Sequence, residues 1–153
     1  MRYLALALVA VSIISCNRDP NYLKQKYLQS GIKYFDGGRY KEASIMYRNA
    51  MKQDPRSGEA YYRLALTALK LSAYGDAYRA LLRTVDLEPK NNDAKSKLAD
   101  IYLLSAAQDP QHAGEKLDFA ADLGKKLLDQ DPKSFDGHRI AGQIERWQLS
   151  LCE

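Results

Sequence analysis

The chain has 153 residues, of which 46% are hydrophobic and 27% are charged, a composition typical of globular rather than disordered proteins. Its net charge of +4 is modest, and Lys and Arg are interleaved with Asp and Glu, so nucleic acid is not indicated as a partner. The two cysteines, Cys16 and Cys152, lie at opposite ends of the chain, which is not the spacing of a disulfide framework.

The first predicted element is a secretory signal peptide over residues 1–15. Arg2 gives a positive start, Leu4 to Ile14 is almost wholly apolar, and the small Ser15 precedes Cys16. As a helix this apolar stretch would span roughly 16 Å, well short of the roughly 30 Å hydrocarbon layer of a membrane. We therefore expect a segment that directs export and is then removed, and not a transmembrane helix.

The end of this segment, Ile13-Ile14-Ser15-Cys16, resembles the bacterial lipobox. The resemblance implies cleavage before Cys16, a diacylglyceryl chain on its thiol and a lipid-linked tether over residues 16–23. More than one acyl chain is enough for stable membrane anchoring. It also implies a bacterial cell-envelope protein, periplasmic or surface-facing, with the outer membrane favoured because Asn17 replaces the aspartate of inner-membrane lipoproteins. The alternative is an ordinary signal peptide, cut elsewhere, beside an incidental cysteine.

A repeat of 34 residues follows the leader. Pro55 and Pro89 lie 34 residues apart, and each follows an acidic residue that closes an apolar helical pattern. The same offset links Tyr27 to Tyr61, and an acidic residue also precedes Pro132. A recurring period of this length predicts stacked copies of one structural unit.

Each unit is predicted to contain two helices. In the first unit the turn between them falls at Gly37-Gly38, where glycine can take the left-handed conformation that ends a helix. The small residues Gly31 and Ala43 allow the two helices to approach, and Tyr27 and Tyr47 fill the space around that contact. The unit is therefore an α-hairpin, and its closing proline prevents the second helix from continuing.

These features resemble the tetratricopeptide repeat family. The resemblance implies an all-α fold, a right-handed superhelical α-solenoid of antiparallel helix hairpins. The repeats would cover residues 24–57, 58–91 and 92–134, and residues 135–153 would form the first helix of a fourth, incomplete repeat. The residues that match the family's packing pattern are Tyr27, Gly31, Tyr34, Ala43, Tyr47, Ala50, Pro55, Tyr61, Leu64, Ala65, Ala77, Pro89, Leu98, Ala99, Tyr102, Ala120 and Pro132.

The third repeat departs from the period, because Pro89 and Pro132 lie 43 residues apart. We place the excess between its two helices, around residues 105–114, where Asp109-Pro110 predicts the N-cap and first-turn proline of a lengthened second helix. The fourth unit has no second helix in this chain. We expect either a fragment of a longer repeat array or a natural last helix that packs on the third repeat.

No catalytic or metal-binding pattern is visible, so we expect neither enzyme activity nor a cofactor. His112 and His138 are isolated in sequence; we expect the first to be solvated near a helix start and the second to pack in the fourth unit. No glycine loop of the phosphate-binding kind is present, and paired catalytic carboxylates are not indicated.

The family resemblance implies a concave groove lined by the first helix of each repeat. It would bind an extended or helical apolar segment, with Arg63 and Lys97 orienting an acidic group. The family's terminal-carboxylate clamp is not expected, since Leu28 and Ile32 occupy the places of its Lys and Asn. Alternatively Leu28, Ile32 and Leu66 pack against neighbouring helices. The groove residues are Leu28, Ile32, Phe35, Tyr62, Arg63, Leu66, Leu69, Lys97 and Asp100, with Ser96 and Leu103 beside them.

The predicted function is that of a membrane-anchored adaptor or scaffold in the bacterial cell envelope, which binds a partner protein or peptide in this groove. One alternative is a non-catalytic accessory subunit of an envelope enzyme or export complex, of the exopolysaccharide or exosortase type. Another is a self-associating structural protein, with homotypic contacts through Trp147 and Leu149 at the open C-terminal end.

Overall fold

The computed structural model describes residues 19–150, so Cys16, Cys152 and the predicted signal peptide lie outside the described residues. Between residues 19 and 150 the chain is all-α, without strands, which confirms the predicted fold class. The helices are α1 (Pro20–Asp36), α2 (Tyr40–Gln53), α3 (Gly58–Lys70), α4 (Tyr74–Leu87), α5 (Asn92–Gln108), α6 (Ala113–Gln130) and α7 (Phe135–Ser150), with a 3-10 turn at Pro110–His112.

None of the helices within residues 19–150 combines the length and the apolar character needed to cross a membrane. α1 begins at Pro20, so residues 20–23 of the predicted tether over residues 16–23 are helical. The physical reason is local: Asp19 precedes Pro20 and its carboxylate accepts the backbone N–H of Asn21 at 2.9 Å, which begins the helix there.

Short polar side chains mark the starts of α1, α3, α5 and α7. Each accepts a backbone N–H that the first helical turn leaves without an intrahelical partner. Three of the four caps lie two residues after a proline: Pro55, Pro89 or Pro132. The caps are Asp19, Ser57 (to Ala60 N, 3.3 Å), Asn91 (to Ala94 N, 3.0 Å) and Ser134 (to Gly137 N, 3.2 Å).

The acidic residue before the proline also has a structural role. Asp54 accepts the backbone N–H of Arg56 at 3.0 Å, and it accepts a hydrogen bond from Lys24 Nζ at 2.9 Å. Both contacts, that with Lys24 foremost, hold the pKa of Asp54 below its ordinary value of 3.8. Because the folded pKa is the lower one, this pairing stabilises the fold above about pH 4, and the contribution is lost as the pH falls through the folded pKa.

The chain divides into two compact units, one ending at Ser72 and the other beginning at Ala73. In the first unit, the ring of Tyr47 lies directly on Gly31 at the crossing of α1 and α2. Tyr27 and Tyr34 are half-buried against the same cluster. The buried cluster consists of Leu28, Ala43, Tyr47, Ala50, Ala60 and Leu64.

The turn between α1 and α2 is the predicted one. Gly38 has a φ of 72°, in the left-handed region, and Arg39 N donates to Tyr34 O at 2.8 Å. Ser72 occupies the position 34 residues later and also has a positive φ, of 56°. Since non-glycine residues adopt this conformation only at a cost, the repeat geometry overrides the residue type at Ser72.

The second unit contains α4 to α7 and has its own apolar interior. Ile140 of α7 is fully buried and fills the space that Gly124 of α6 leaves open. Gly137 lies as closely on Leu128, since a Cβ at Gly137 would be 2.7 Å from Leu128 Cγ. The buried aliphatic residues of the second unit include Ala77, Leu81, Ala94, Leu98, Ala99, Ala106, Leu117, Ala120, Leu123, Leu127 and Ile144.

The insertion in the third repeat differs from the prediction. Asp109-Pro110 does not cap the second helix; Pro110 begins a single 3-10 turn, and α6 begins only at Ala113. The Asp109 carboxylate is bound instead by side chains, His112 Nδ1 at 3.1 Å and Lys116 Nζ at 3.2 Å. The carboxylate accepts no backbone N–H of the first turn.

Candidate binding surfaces

Leu28 is buried in the core of the first unit with 1% of its surface exposed. Its prediction as a groove residue is therefore wrong, because a side chain enclosed between α1 and its neighbours cannot contact a partner. Ile32 and Phe35 also pack against this core but stay partly exposed. The Phe35 ring meets the Tyr40 ring edge-to-face, with centroids 5.3 Å apart.

Helix α3 carries the other groove residues of the first unit. Tyr62, Arg63, Leu66 and Leu69 are all half-buried, which leaves part of each side chain at the surface. Leu64 and Ala65 of the same helix are buried. The partly exposed side chains of α3 thus include an aromatic residue, a cation and two leucines.

Arg63 is only weakly engaged within the protein. Its Nε lies 3.9 Å from Glu59 Oε1, at the limit of an ion pair, and between residues 19 and 150 its guanidinium makes no hydrogen bond. Arg63 and Glu59 both lie near Tyr47, whose hydroxyl is buried without a hydrogen-bond partner among the described residues. Burial raises the pKa of this hydroxyl, an effect that the charge of Arg63 opposes.

The groove residues of the second unit lie on α5, and two of them bind α7. Arg139 donates from Nη1 to Asp100 Oδ1 at 2.7 Å and from Nη2 to Ser96 Oγ at 3.1 Å. Ser96 is buried, while Lys97 and Leu103 are half-buried. Asp100 is therefore already paired inside the unit, a role that sequence reasoning missed because Arg139 lies 39 residues away and outside the repeat pattern.

An aromatic cavity of about 400 Å³ lies in the second unit, between α4, α5 and α6. The Tyr78 and Tyr102 rings meet edge-to-face with centroids 5.5 Å apart, and their hydroxyls are 3.2 Å apart. Phe119 stacks on Tyr102 with ring centroids 5.2 Å apart, and Tyr74 completes the aromatic lining. Tyr102, predicted as a packing residue, thus lines a cavity that the 34-residue pattern does not indicate; the extra length of the third repeat is the one feature of the sequence that points to it.

Polar groups surround the mouth of the aromatic cavity. Lys116 Nζ donates to Ser105 O at 3.3 Å and to Asp109 Oδ2 at 3.2 Å. Glu115, beside it, is exposed and forms no ion pair with any residue between 19 and 150. Burial, then the hydrogen bond to Tyr78, and finally the negative charge of Glu115 raise the pKa of the Tyr102 hydroxyl.

Neither histidine lies in a catalytic arrangement. His112 Nδ1 binds the carboxylate of Asp109, and His138 Nε2 lies 2.9 Å from Pro132 O. His138 is exposed, so its predicted packing position is wrong; the ring contacts the turn that precedes α7 instead. Among the described residues, no three His, Cys, Asp or Glu side chains are grouped so that they could hold a metal ion.

The successive helix hairpins define a helical-repeat fold. Residues 34–101 match the sequence model of the tetratricopeptide repeat. Serine/threonine-protein phosphatase T of Aspergillus oryzae is 32% identical over 136 residues, which cover 87% of this chain and 27% of that protein. The chain spans 27% or less of the length of the curated relatives that it matches.

Solved structures agree with this fold. TTC0263, a thermophilic tetratricopeptide-repeat protein of Thermus thermophilus, superposes with a TM-score of 0.65 at 25% identity, covering 82% of this chain and 66% of that one. The first tetratricopeptide repeat of Spaghetti (RPAP3), solved bound to the HSP90 peptide SRMEEVD, gives 0.64 at 23% identity, covering 86% and 94%. Together these matches show that the described residues have the helical-hairpin fold of tetratricopeptide-repeat proteins, and that residues 34–101 resemble the repeat in sequence.

Proposed function

We propose that this protein is a non-catalytic adaptor of the bacterial cell envelope, anchored by a lipid on Cys16, that binds a partner protein or peptide. The carrying observation is the surface of α3, where Tyr62, Arg63, Leu66 and Leu69 are partly exposed side by side on a repeat of the interaction type. The peptide complex of Spaghetti supports this use of the fold.

The chemistry of α3 favours a partner segment that is apolar and carries an acidic group. Leu66 and Leu69 offer aliphatic surface, and the guanidinium of Arg63 makes only the 3.9 Å contact with Glu59. A carboxylate of the partner could therefore form the closer, bidentate contact that arginine favours. The fold itself requires no such contact, which distinguishes Arg63 from the tightly bonded Arg139.

The proposed adaptor would act close to the membrane. If Cys16 carries the lipid and α1 begins at Pro20, three residues join them, and these span at most roughly 10 Å at about 3.5 Å per residue. A partner of the first unit would then lie in or near the membrane surface. This is the physical basis for an envelope partner rather than a freely diffusing one.

Replacing Tyr62 and Arg63 together with alanine should reduce capture of the partner at least tenfold. The reason is that an aromatic ring and a charge-assisted contact at an interface are each worth about 1–2 kcal/mol or more. Cross-linking of the tagged protein in its native envelope, followed by mass spectrometry, measures this. Tyr22→Ala with Arg48→Ala is the matched control, since both residues are exposed in the same unit.

Undiminished capture by the Tyr62 and Arg63 double variant would contradict a binding role for α3. Stoichiometric recovery of one envelope enzyme would make the adaptor an accessory subunit of that enzyme. Capture of its own copies alone would favour the self-association alternative. That alternative has one observation of its own, since Leu149 near the end of α7 is 63% exposed.

Replacing Cys16 with alanine should move the protein from the membrane to the soluble fraction. Without the thiol no diacylglyceryl chain can be attached, and no helix between residues 19 and 150 could span the bilayer in its place. Fractionation by ultracentrifugation with immunoblotting measures the distribution, and Cys152→Ala is the matched control. Retention of the Cys16 variant in the membrane pellet after a high-salt wash would overturn the lipid anchor.

A further inference from the structure

The aromatic cavity of the second unit has no role in the proposed function. We propose that it binds an arginine side chain of a partner protein, and that it is a second docking site besides the α3 surface. Tyr74, Tyr78, Tyr102 and Phe119 would contact the side chain, and Glu115 would pair with its guanidinium.

The shape of the cavity favours one or two side chains over a folded element. Its volume of about 400 Å³ lies near the lower end of the range for ligand pockets, about 300–1,000 Å³. Ile101 and Leu104 add aliphatic surface to the four aromatic rings. Such a lining suits the apolar stem of arginine, and aromatic faces attract its planar guanidinium, which stacks on them more readily than an ammonium does.

The charges around the cavity favour a cation. Lys116 forms an ion pair with Asp109 at 3.2 Å and donates a hydrogen bond to the carbonyl of Ser105, so its charge is already matched inside the unit. Glu115 is not matched by any cation of the described chain, and its charge reaches the Tyr102 hydroxyl. The cavity therefore carries one uncompensated negative charge beside aromatic rings. An arginine side chain would stack its guanidinium on the rings and pair it with that charge.

Exposure of the lining supports a docking site rather than packing alone. Tyr74, Leu104 and Phe119 are 45%, 39% and 46% exposed, and all three border the same cavity. Large apolar side chains that cluster in the open mark interaction surfaces, whereas single ones do not. The lengthened α5 and α6 supply Leu104, Glu115 and Phe119, so the site depends on the irregular third repeat.

Capped dipeptides test the inference on the full-length chain in a non-ionic detergent. The probes are acetyl-Leu-Arg-amide, its citrulline counterpart, which has the same shape without charge, and acetyl-Leu-Glu-amide. Methyl NMR signals of Ile101 and Leu104 report on the cavity, and those of Ile32 and Ile140 report on other sites. We expect the arginine probe to shift Ile101 and Leu104 and to bind about threefold or more tightly than the citrulline probe, the size of an exposed cation–π or ion-pair contribution.

Two variants complete the test. Glu115→Gln should weaken the arginine probe about threefold and leave the citrulline probe unchanged, while Glu145→Gln, which removes the same charge from exposed α7 surface, should change neither. Phe119→Leu keeps the apolar bulk without the ring and should also weaken the arginine probe.

Equal binding of the arginine and citrulline probes, stronger binding of the glutamate probe, or shifts confined to Ile32 or Ile140 would each overturn the inference. So would an unchanged affinity in the Glu115 variant. These outcomes are independent of the adaptor proposal, because that proposal depends on Tyr62 and Arg63 in the first unit. Loss of one site leaves the test of the other intact.

Discussion

Replacing Gly31 with alanine should lower the free energy of unfolding by about 2 kcal/mol, since inserting a carbon into a well-packed core costs about 1–3 kcal/mol. A Cβ at Gly31 would lie 2.7 Å from Tyr47 Cδ1 and would meet Cε1 even more closely. Tyr47 is fully buried, so its ring has no open space into which it can turn. Urea denaturation followed by circular dichroism measures the loss.

A matched substitution separates this clash from helix propensity. Gly142 lies in the interior of α7, where the nearest atom to an added Cβ is Arg146 Nη1 at 3.9 Å, so Gly142→Ala should stabilise the protein by about 0.5–1 kcal/mol. Tyr47→Leu removes the clashing ring, and in that background Gly31→Ala should cost less than in the native chain. Equal costs in both backgrounds would contradict the contact as the cause.

The contact of Gly31 with Tyr47 shows what periodicity can predict. Both positions belong to the 34-residue pattern, with Ala65 and Leu81 one period later, and steps of three and four place them on facing helix surfaces. The same pattern predicted the turn at Gly37-Gly38. The pattern gave a wrong result at Leu28. Leu28 occupies a position that was expected to face the groove, but on α1 this position faces the core.

Features outside the period could not be predicted in the same way. The insertion of the third repeat has no counterpart in the first two, so nothing in the sequence distinguished a helix cap at Asp109 from a carboxylate bound by Lys116. The stacking of Phe119 on Tyr102 depends on where that insertion ends. The bond from Arg139 to Asp100 joins residues in two different repeats and follows no common spacing.

Gly124, like Gly31, is small because a large side chain of the facing helix lies directly over it. Gly124 has no side chain, and Ile140 of the facing helix occupies the space over it: the Ile140 Cγ2 lies 3.1 Å from where a Cβ of Gly124 would be. The volume over Gly124 is thus provided by the facing helix. This contact makes the two residues energetically coupled.

Replacing Ile140 with alanine should therefore lower the free energy of unfolding by about 3 kcal/mol, within the range of 2–5 kcal/mol for buried isoleucine truncations. Ile140 is fully buried, and its loss would leave a cavity beside Gly124, which has no side chain to fill it. Urea denaturation measures the loss, and the exposed Leu149→Ala on the same helix is the control, with an expected change within about 0.5 kcal/mol.

The coupling free energy between Gly124 and Ile140 tests this contact more directly than the Ile140 substitution alone. In the native chain Gly124→Ala gains helix propensity but brings its Cβ against Ile140, so the two effects offset each other. In the Ile140→Ala background the crowding is gone, and the same substitution should recover about 1 kcal/mol. An identical effect of Gly124→Ala in both backgrounds would show that Ile140 does not occupy the space over Gly124, and that α7 is held to α6 by other contacts.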